Sequence, residues 1–236
     1  MRNVVWMVLG SLAIAAAPAV AQDKPVEINI GFGWMFPSTS GLKNDFNAGW
    51  TGTIGATFWV NPKVGIMAEY TYDHMHGPDK TIATSPGPGL PLTGNALIQS
   101  NHQIHSGIFN VVFRPVPHPQ GSVNGYILAG GGIYHRIVNL TTPSAGYTTI
   151  CDPYWYVCYP ALVPIDVIVG SRSSNDFGFD VGGGVEFGHE AKFYIESRYT
   201  YVWGPTITAP AGVILPAGTS VSTNAVYVPL TFGVRF

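Results

Sequence analysis

From Val26 onward, apolar and polar residues alternate with a period of two. That spacing sends successive side chains to opposite faces of a strand. In residues 26–36 the even positions are Val26, Ile28, Ile30, Phe32, Trp34 and Phe36, while Glu27, Asn29, Gly31 and Gly33 fill most odd ones. Residues 48–60 set Trp50, Ile54, Phe58 and Val60 against Thr51, Thr53 and Thr57. Residues 64–74 set Val64, Ile66, Ala68, Tyr70 and Tyr72 against Met67, Glu69, Thr71 and Asp73. The alternation returns in 104–114, 177–187, 193–203 and 225–236. Segment 124–137 is apolar on both faces around Gly130-Gly131-Gly132, so its register stays open. No stretch after residue 22 has a convincing helical period. Eight strands are predicted, with Pro229 at a bulge because it lacks the N–H a closed ladder uses.

The connections alternate too. They run long (37–47), short (61–63), very long (75–103), medium (115–123), very long (138–174), short (188–192) and long (204–224). Transmembrane barrels have this asymmetry, with short turns on one side of the membrane and long loops on the other. The apolar faces carry almost no charge, as a lipid boundary demands. Aromatics gather at both ends of the strands: Trp34, Phe36, Trp50, Tyr70, Tyr72, Tyr201 and Trp203 at one rim, and Phe58, Phe113, Phe187, Phe193 and Phe236 at the other. The fold class expected is all-β, a transmembrane eight-stranded antiparallel up-and-down β-barrel. A soluble barrel or sandwich, with the same faces turned inside out, is the competing reading.

Composition narrows the choice. Only 10% of the 236 residues are charged, against about 25% in soluble domains. Eleven Lys and Arg face thirteen Asp and Glu with no basic cluster, which excludes a nucleic-acid footprint. Aromatics at 13% exclude a disordered chain. Arg2, the apolar run Val4 to Ala17, and Ala19-Val20-Ala21 after Pro18 read as a signal peptide, residues 1–21. The run is too short to span a membrane, although a retained anchor helix is the alternative. Residues 22–236 form the barrel domain. Cys151 and Cys158 are the only cysteines, and in an oxidising compartment a close pair reads as a disulfide.

Eight strands enclose a lumen just wide enough for side chains. The inward charges expected are Glu27, Glu69, Asp73, Asp180, Glu186, Glu196, Arg114, Arg198 and Arg235. Glu27, Arg114, Glu186 and Arg235 count as low in the barrel, and Glu69, Asp180, Glu196 and Arg198 as nearer its middle. Closure makes the first and last strands neighbours, so Glu27 and Arg235 are expected to pair. Buried charges persist when paired, which predicts a polar plug; an ion or proton path is the alternative.

Three features bear on chemistry. His74, His76, His102 and His105, with His135, fall near the outer strand ends and are weak zinc or copper candidates. They lack tight ligand spacing, and His74 and His76 differ in parity from His102. His105-Ser106 is the one adjacent His/Ser pair on a strand near the membrane edge, but neighbours on a strand face opposite ways, so a lipid-directed enzyme is the minor reading. Tyr154, Trp155 and Tyr156 sit between the cysteines in loop 138–174, as an aromatic tip suited to surface contact. Folding of that loop over the barrel mouth is the bland alternative. Neither a cofactor nor a resident metal is expected.

The strand with Tyr126 and Gly130-Gly131-Gly132, the strand Phe177 to Gly184, the Glu196-Ser197-Arg198-Tyr199 strand and the ending Val228 to Phe236 together resemble the small eight-stranded outer-membrane barrels. These are the relatives of the outer membrane protein A and X barrels and the opacity-type proteins. The resemblance covers residues 22–236. It implies that Phe236 is the C-terminal signal read by the barrel-assembly machinery. It also implies a monomer among outer-membrane lipid and lipopolysaccharide, with both mature termini periplasmic and loops available to an extracellular partner. The function expected is structural or surface contact, with a narrow channel for small solutes as the alternative; the small inward residues Gly31, Gly33, Gly182 and Gly184 would line it.

Overall fold

The computed structural model describes residues 26–84, 94–116, 123–152, 157–188, 191–208 and 220–236. Residues 1–21, expected to be a signal peptide, and Tyr154, Trp155 and Tyr156, expected to form an aromatic tip, lie outside the described residues. Eight antiparallel strands close into a ring: β1 (Val26–Pro37), β2 (Gly49–Asn61), β3 (Val64–His76), β5 (Gly94–Phe113), β6 (Asn124–Asp152), β7 (Val157–Gly188), β8 (Lys192–Val202) and β11 (Ala225–Arg235). β4 (Lys80–Thr84) pairs with the outer part of β5, and β9 (Thr206–Thr208) pairs with β10 (Ser220–Ser222) above the ring. β1 and β11 seal the barrel from Asn29↔Arg235 to Pro37↔Tyr227. Phe236 adds two backbone bonds to Ile28, at 2.9 and 3.1 Å.

Closure pairs both edges of each strand within the ring, which lipid requires. Facing follows the alternation. Ile30, Phe32, Ile54, Phe109, Val111, Val181 and Phe193 project outward, while Glu27, Glu69, Asn110, Asp180 and Arg198 are buried inside. The polar face is therefore the interior and the apolar face meets lipid. Segment 124–137 takes the register that turns Tyr126, Leu128, Tyr134 and Arg136 inward and Ile127 and Ile133 outward. At the outer rim Phe32, Trp50 and Tyr72 form a chain of ring contacts, as do Phe179, Tyr201 and Trp203. Phe187 and Phe193 stack at the inner rim. Between these levels β5 crosses the membrane from about His105 to Phe113, at a rise of ~3.4 Å per residue along a tilted strand.

The turns on the inner side are tight. The Asn61 side-chain oxygen accepts from the backbone N–H groups of Lys63 and Val64 at 2.8 and 2.9 Å, an Asx turn closing β2 onto β3. Gly188 takes φ 124° before β8, a conformation that excludes a Cβ at little cost only for glycine.

Three expectations are corrected. Segment 138–174 is mostly ribbon rather than loop: β6 and β7 continue pairing beyond the membrane to Asp152 and Val157. A register shift at Leu140/Thr141 leaves Val169 as the extra residue, and a bulge of this kind reverses parity. Segment 37–47 contains a short helix, α1 (Ser40–Asp45), despite lacking a helical period. Pro229 makes no bulge. The ladder to β8 skips from Tyr227 to Leu230 and resumes in the same register, while Pro229 pairs with Met35 of β1.

Candidate functional site: the lumen and the outer mouth

Two ionic clusters fill the lumen. In the middle, the Arg198 guanidinium reaches Glu69 at 2.7 Å and Asp180 at 3.4 Å, and its Nε donates to Glu196. Asn29 donates to Glu69 at 2.9 Å, and the Tyr126 hydroxyl donates to Glu196 at 2.7 Å. Nearer the inner end, Arg114 binds Glu27 at 2.8 Å and Glu186 at 2.8 Å, and Arg235 binds Glu186 at 2.8 Å. Lys192 also pairs with Glu27. Arg114 lies over the Trp59 ring at 3.7 Å, and Arg235 faces Tyr126 and Tyr194. Asp73, higher up, accepts from Thr51 and Tyr227.

The expected Glu27–Arg235 pair does not form. The two residues stand on adjacent strands, but lumenal side chains reach across the axis, so each finds its partner on a more distant strand. Lys192, which starts β8, completes the Glu27 site and was hidden by its place beside a predicted turn. Inward parity from residue 194 upward would have found it.

Apolar side chains share the lumen, a feature the sequence reading missed. Met35, Met75, Ile104, Ile108, Tyr134, Val202 and Tyr227 form a layer at the outer end, and Met67, Val112, Tyr126 and Leu128 form one lower down. Each has the parity of a lumenal position, the one signal that marks it. Between them Thr51, Thr53, Thr71, Asp73, Arg198 and Tyr227 border a void of about 20 Å³, room for one water.

The glycines expected to line a channel instead make space for neighbours. A Cβ on Gly31 would collide with the Tyr194 hydroxyl, one on Gly182 with Arg198, one on Gly184 with Tyr126, and one on Gly33 with the Leu230 backbone. Gly184→Val is accordingly expected to destabilise the barrel by about 1–3 kcal/mol through overpacking, read as a lower midpoint of thermal unfolding in detergent.

The histidines separate by face. His74 and His76 lie on the outer surface with rings 4.4 Å apart, and His105 accepts from or donates to the Tyr70 hydroxyl at 2.7 Å. His135 meets Asn175 at 2.6 Å. Among the described histidines His102 alone points inward, at 2% exposure. Among the described residues no three metal-binding side chains converge. Ser106 bonds Thr71 inside the lumen, whereas His105 faces outward, so the pair is split across the wall. Cys151 and Cys158 are register partners near the end of the β6–β7 ribbon.

Above the membrane the lumen widens into a mouth closed at one side by α1. There Arg136 binds Asp176 at 2.6 Å and the Thr223 carbonyl at 2.8 Å. Both members lie beyond the segments expected from alternation, or at their margins. His102 is also above the membrane-spanning part of β5; burial first, then the charge of Arg136 and the nearby His74, lower its pKa to about 4.

A closed sheet with an apolar exterior, aromatic rims and an ionic interior defines an integral membrane β-barrel. The chain belongs to the outer membrane protein beta-barrel domain family, which it matches over residues 7–236. No curated protein matches it. Among solved structures it is similar to Ail, the attachment invasion locus protein of Yersinia pestis, at 16% identity, with 89% of this chain and 97% of that one covered and a TM-score of 0.42. It is similar to Neisserial surface protein A at 14% identity, with coverage of 90% and 96% and a TM-score of 0.45. The outer membrane protease OmpT of Escherichia coli aligns at 10% identity, with coverage of 92% and 98% and a TM-score of 0.41.

Proposed function

We propose that this outer-membrane protein is a closed barrel whose work is structural and at the cell surface, neither a conduit nor an enzyme. One observation carries the reading. Arg198 on β8 grips Glu69 on β3, and these strands stand four apart in a ring of eight, on opposite walls. The bond crosses the lumen, and the two apolar layers lie above and below it. Any solute would have to break the bond in a low-dielectric interior, where an unpaired charge is costly.

The surface role falls to the parts that project outward. An extracellular partner would be met through the β6–β7 ribbon and through Tyr154, Trp155 and Tyr156, which lie between its strands in sequence, and a Cys151–Cys158 disulfide tethers the two strands. Both mature termini are periplasmic, lipid and lipopolysaccharide surround a monomer, and Phe236 is the residue offered to the assembly machinery. Single-channel recording in planar bilayers tests the closed lumen. The refolded protein is expected to show no steady current, and a stable ohmic conductance would overturn the reading.

A further inference from the structure

The outer mouth contains a cavity of about 330 Å³ that the closed lumen does not explain. Its size falls in the range of small-molecule sites, roughly 300–1,000 Å³. Its wall is two-sided. Leu42 and Phe46 from α1 and its C-terminal cap, with Val138 of β6, give an apolar side; His102, Arg136 and Arg172 give a polar one. We infer that this cavity binds a small amphipathic carboxylate, with an aromatic or short aliphatic body against Phe46, Leu42 and Val138 and the anionic head between Arg172 and His102.

Charge bookkeeping selects an anion. Arg136 is neutralised by Asp176 at 2.6 Å. Asp45, the acidic side chain on the wall, is matched by Lys80 at 2.7 Å. Arg172 has no ion pair among the described residues, which leaves one uncompensated positive charge in the cavity. A guanidinium in this position suits a carboxylate, which it can hold through two parallel hydrogen bonds.

His102 is the second, independent pointer. It is buried and packed 5.1 Å from the Phe46 ring. Neither ring nitrogen has a hydrogen-bond partner among the described residues. A buried imidazole left unpaired on both sides loses hydration without compensation, so a ligand that supplies the missing bond gains from it. The neutral ring offers one N–H donor and one acceptor. His102, Val138 and Arg172 share one cross-strand row. That row puts the imidazole and the guanidinium about 10 Å apart at the backbone, two inter-strand spacings, with the Val138 side chain between them. The span fits a carboxylate reached from both ends by long side chains. Neither feature depends on whether the lumen conducts.

The test uses the full-length protein in lipid nanodiscs, titrated with 3-phenylpropionate by calorimetry. The uncharged 3-phenylpropanol serves as the matched probe. Saturable binding of the acid is expected, with the alcohol at least about tenfold weaker, the loss of one charge-assisted pair. Arg172→Gln should weaken the acid about tenfold and leave the alcohol unchanged. His102→Phe, which fills the site and removes both nitrogens, should weaken both probes. Each variant is first shown to be folded by its heat-modifiable mobility. Failure of the wild type to bind the acid saturably would overturn the site. Equal affinity for acid and alcohol, or an unaltered affinity in a folded Arg172→Gln variant, would overturn the anionic assignment.

Discussion

Arg198→Ala will lower the unfolding temperature of the detergent-solubilised barrel by on the order of 10 °C, a loss of about 3–5 kcal/mol. The side chain is buried, and its guanidinium serves Glu69, Asp180 and Glu196 at once. Truncation removes the one cation these three carboxylates share and opens a cavity that water must fill. Asn29 and Tyr126 still donate to Glu69 and Glu196, but neutral donors do not cancel like-charge repulsion. A second change should relieve part of the damage: Arg198→Ala with Glu69→Gln removes one of the stranded charges and should recover a measurable fraction of the lost stability. Circular dichroism melts, checked against folded and boiled mobility on gels, would read both variants. An unchanged midpoint for Arg198→Ala would mean the lumen is already wet enough to solvate three free carboxylates, and the closed barrel would fail with it.

The parity of the strands was open to reading because lipid and lumen impose opposite demands on adjacent residues. Glu27, Glu69 and Arg198 could be assigned inward, and Phe32, Ile54 and Val181 outward, from period two alone. Pairing inside the barrel was not so open. Arg235 and Glu27 stand near each other across the β1–β11 seam, yet Arg235 binds Glu186 and Glu27 binds Arg114 and Lys192. Partners across a lumen depend on side-chain length and height, which sheet order leaves undetermined. The β6–β7 ribbon was obscured for a different reason. Pro143, Pro160 and Pro164 lie within it, as a two-stranded ribbon with free edges tolerates, and the bulge at Val169 reverses the alternation midway. The outer cavity draws on α1, β5, β6, β7 and the β9–β10 region, so no single stretch of sequence announces it.

The orientation of the barrel wall can be tried at one residue. Phe109 lies midway along the membrane-crossing part of β5 and is 68% exposed on the outer face; Asn110, its neighbour, is buried in the lumen. Phe109→Arg is expected to destabilise the barrel in phospholipid by about 2–4 kcal/mol, the cost of an arginine at the bilayer midplane. The same change at Val60, at the inner margin of β2 and also exposed, should cost at most about 1 kcal/mol, because the side chain can reach the interface. Depth dependence is the discriminating feature. If this outer face met water instead of lipid, both positions would be solvated, and neither arginine would cost more than a few tenths of a kcal/mol. Reversible denaturant unfolding in vesicles of fixed thickness supplies the comparison. A second set in a shorter-chain lipid should narrow the gap between the two sites, since a thinner hydrocarbon layer brings Phe109 closer to both interfaces. Equal, small effects at Phe109 and Val60 in both lipids would show that the apolar face does not meet acyl chains.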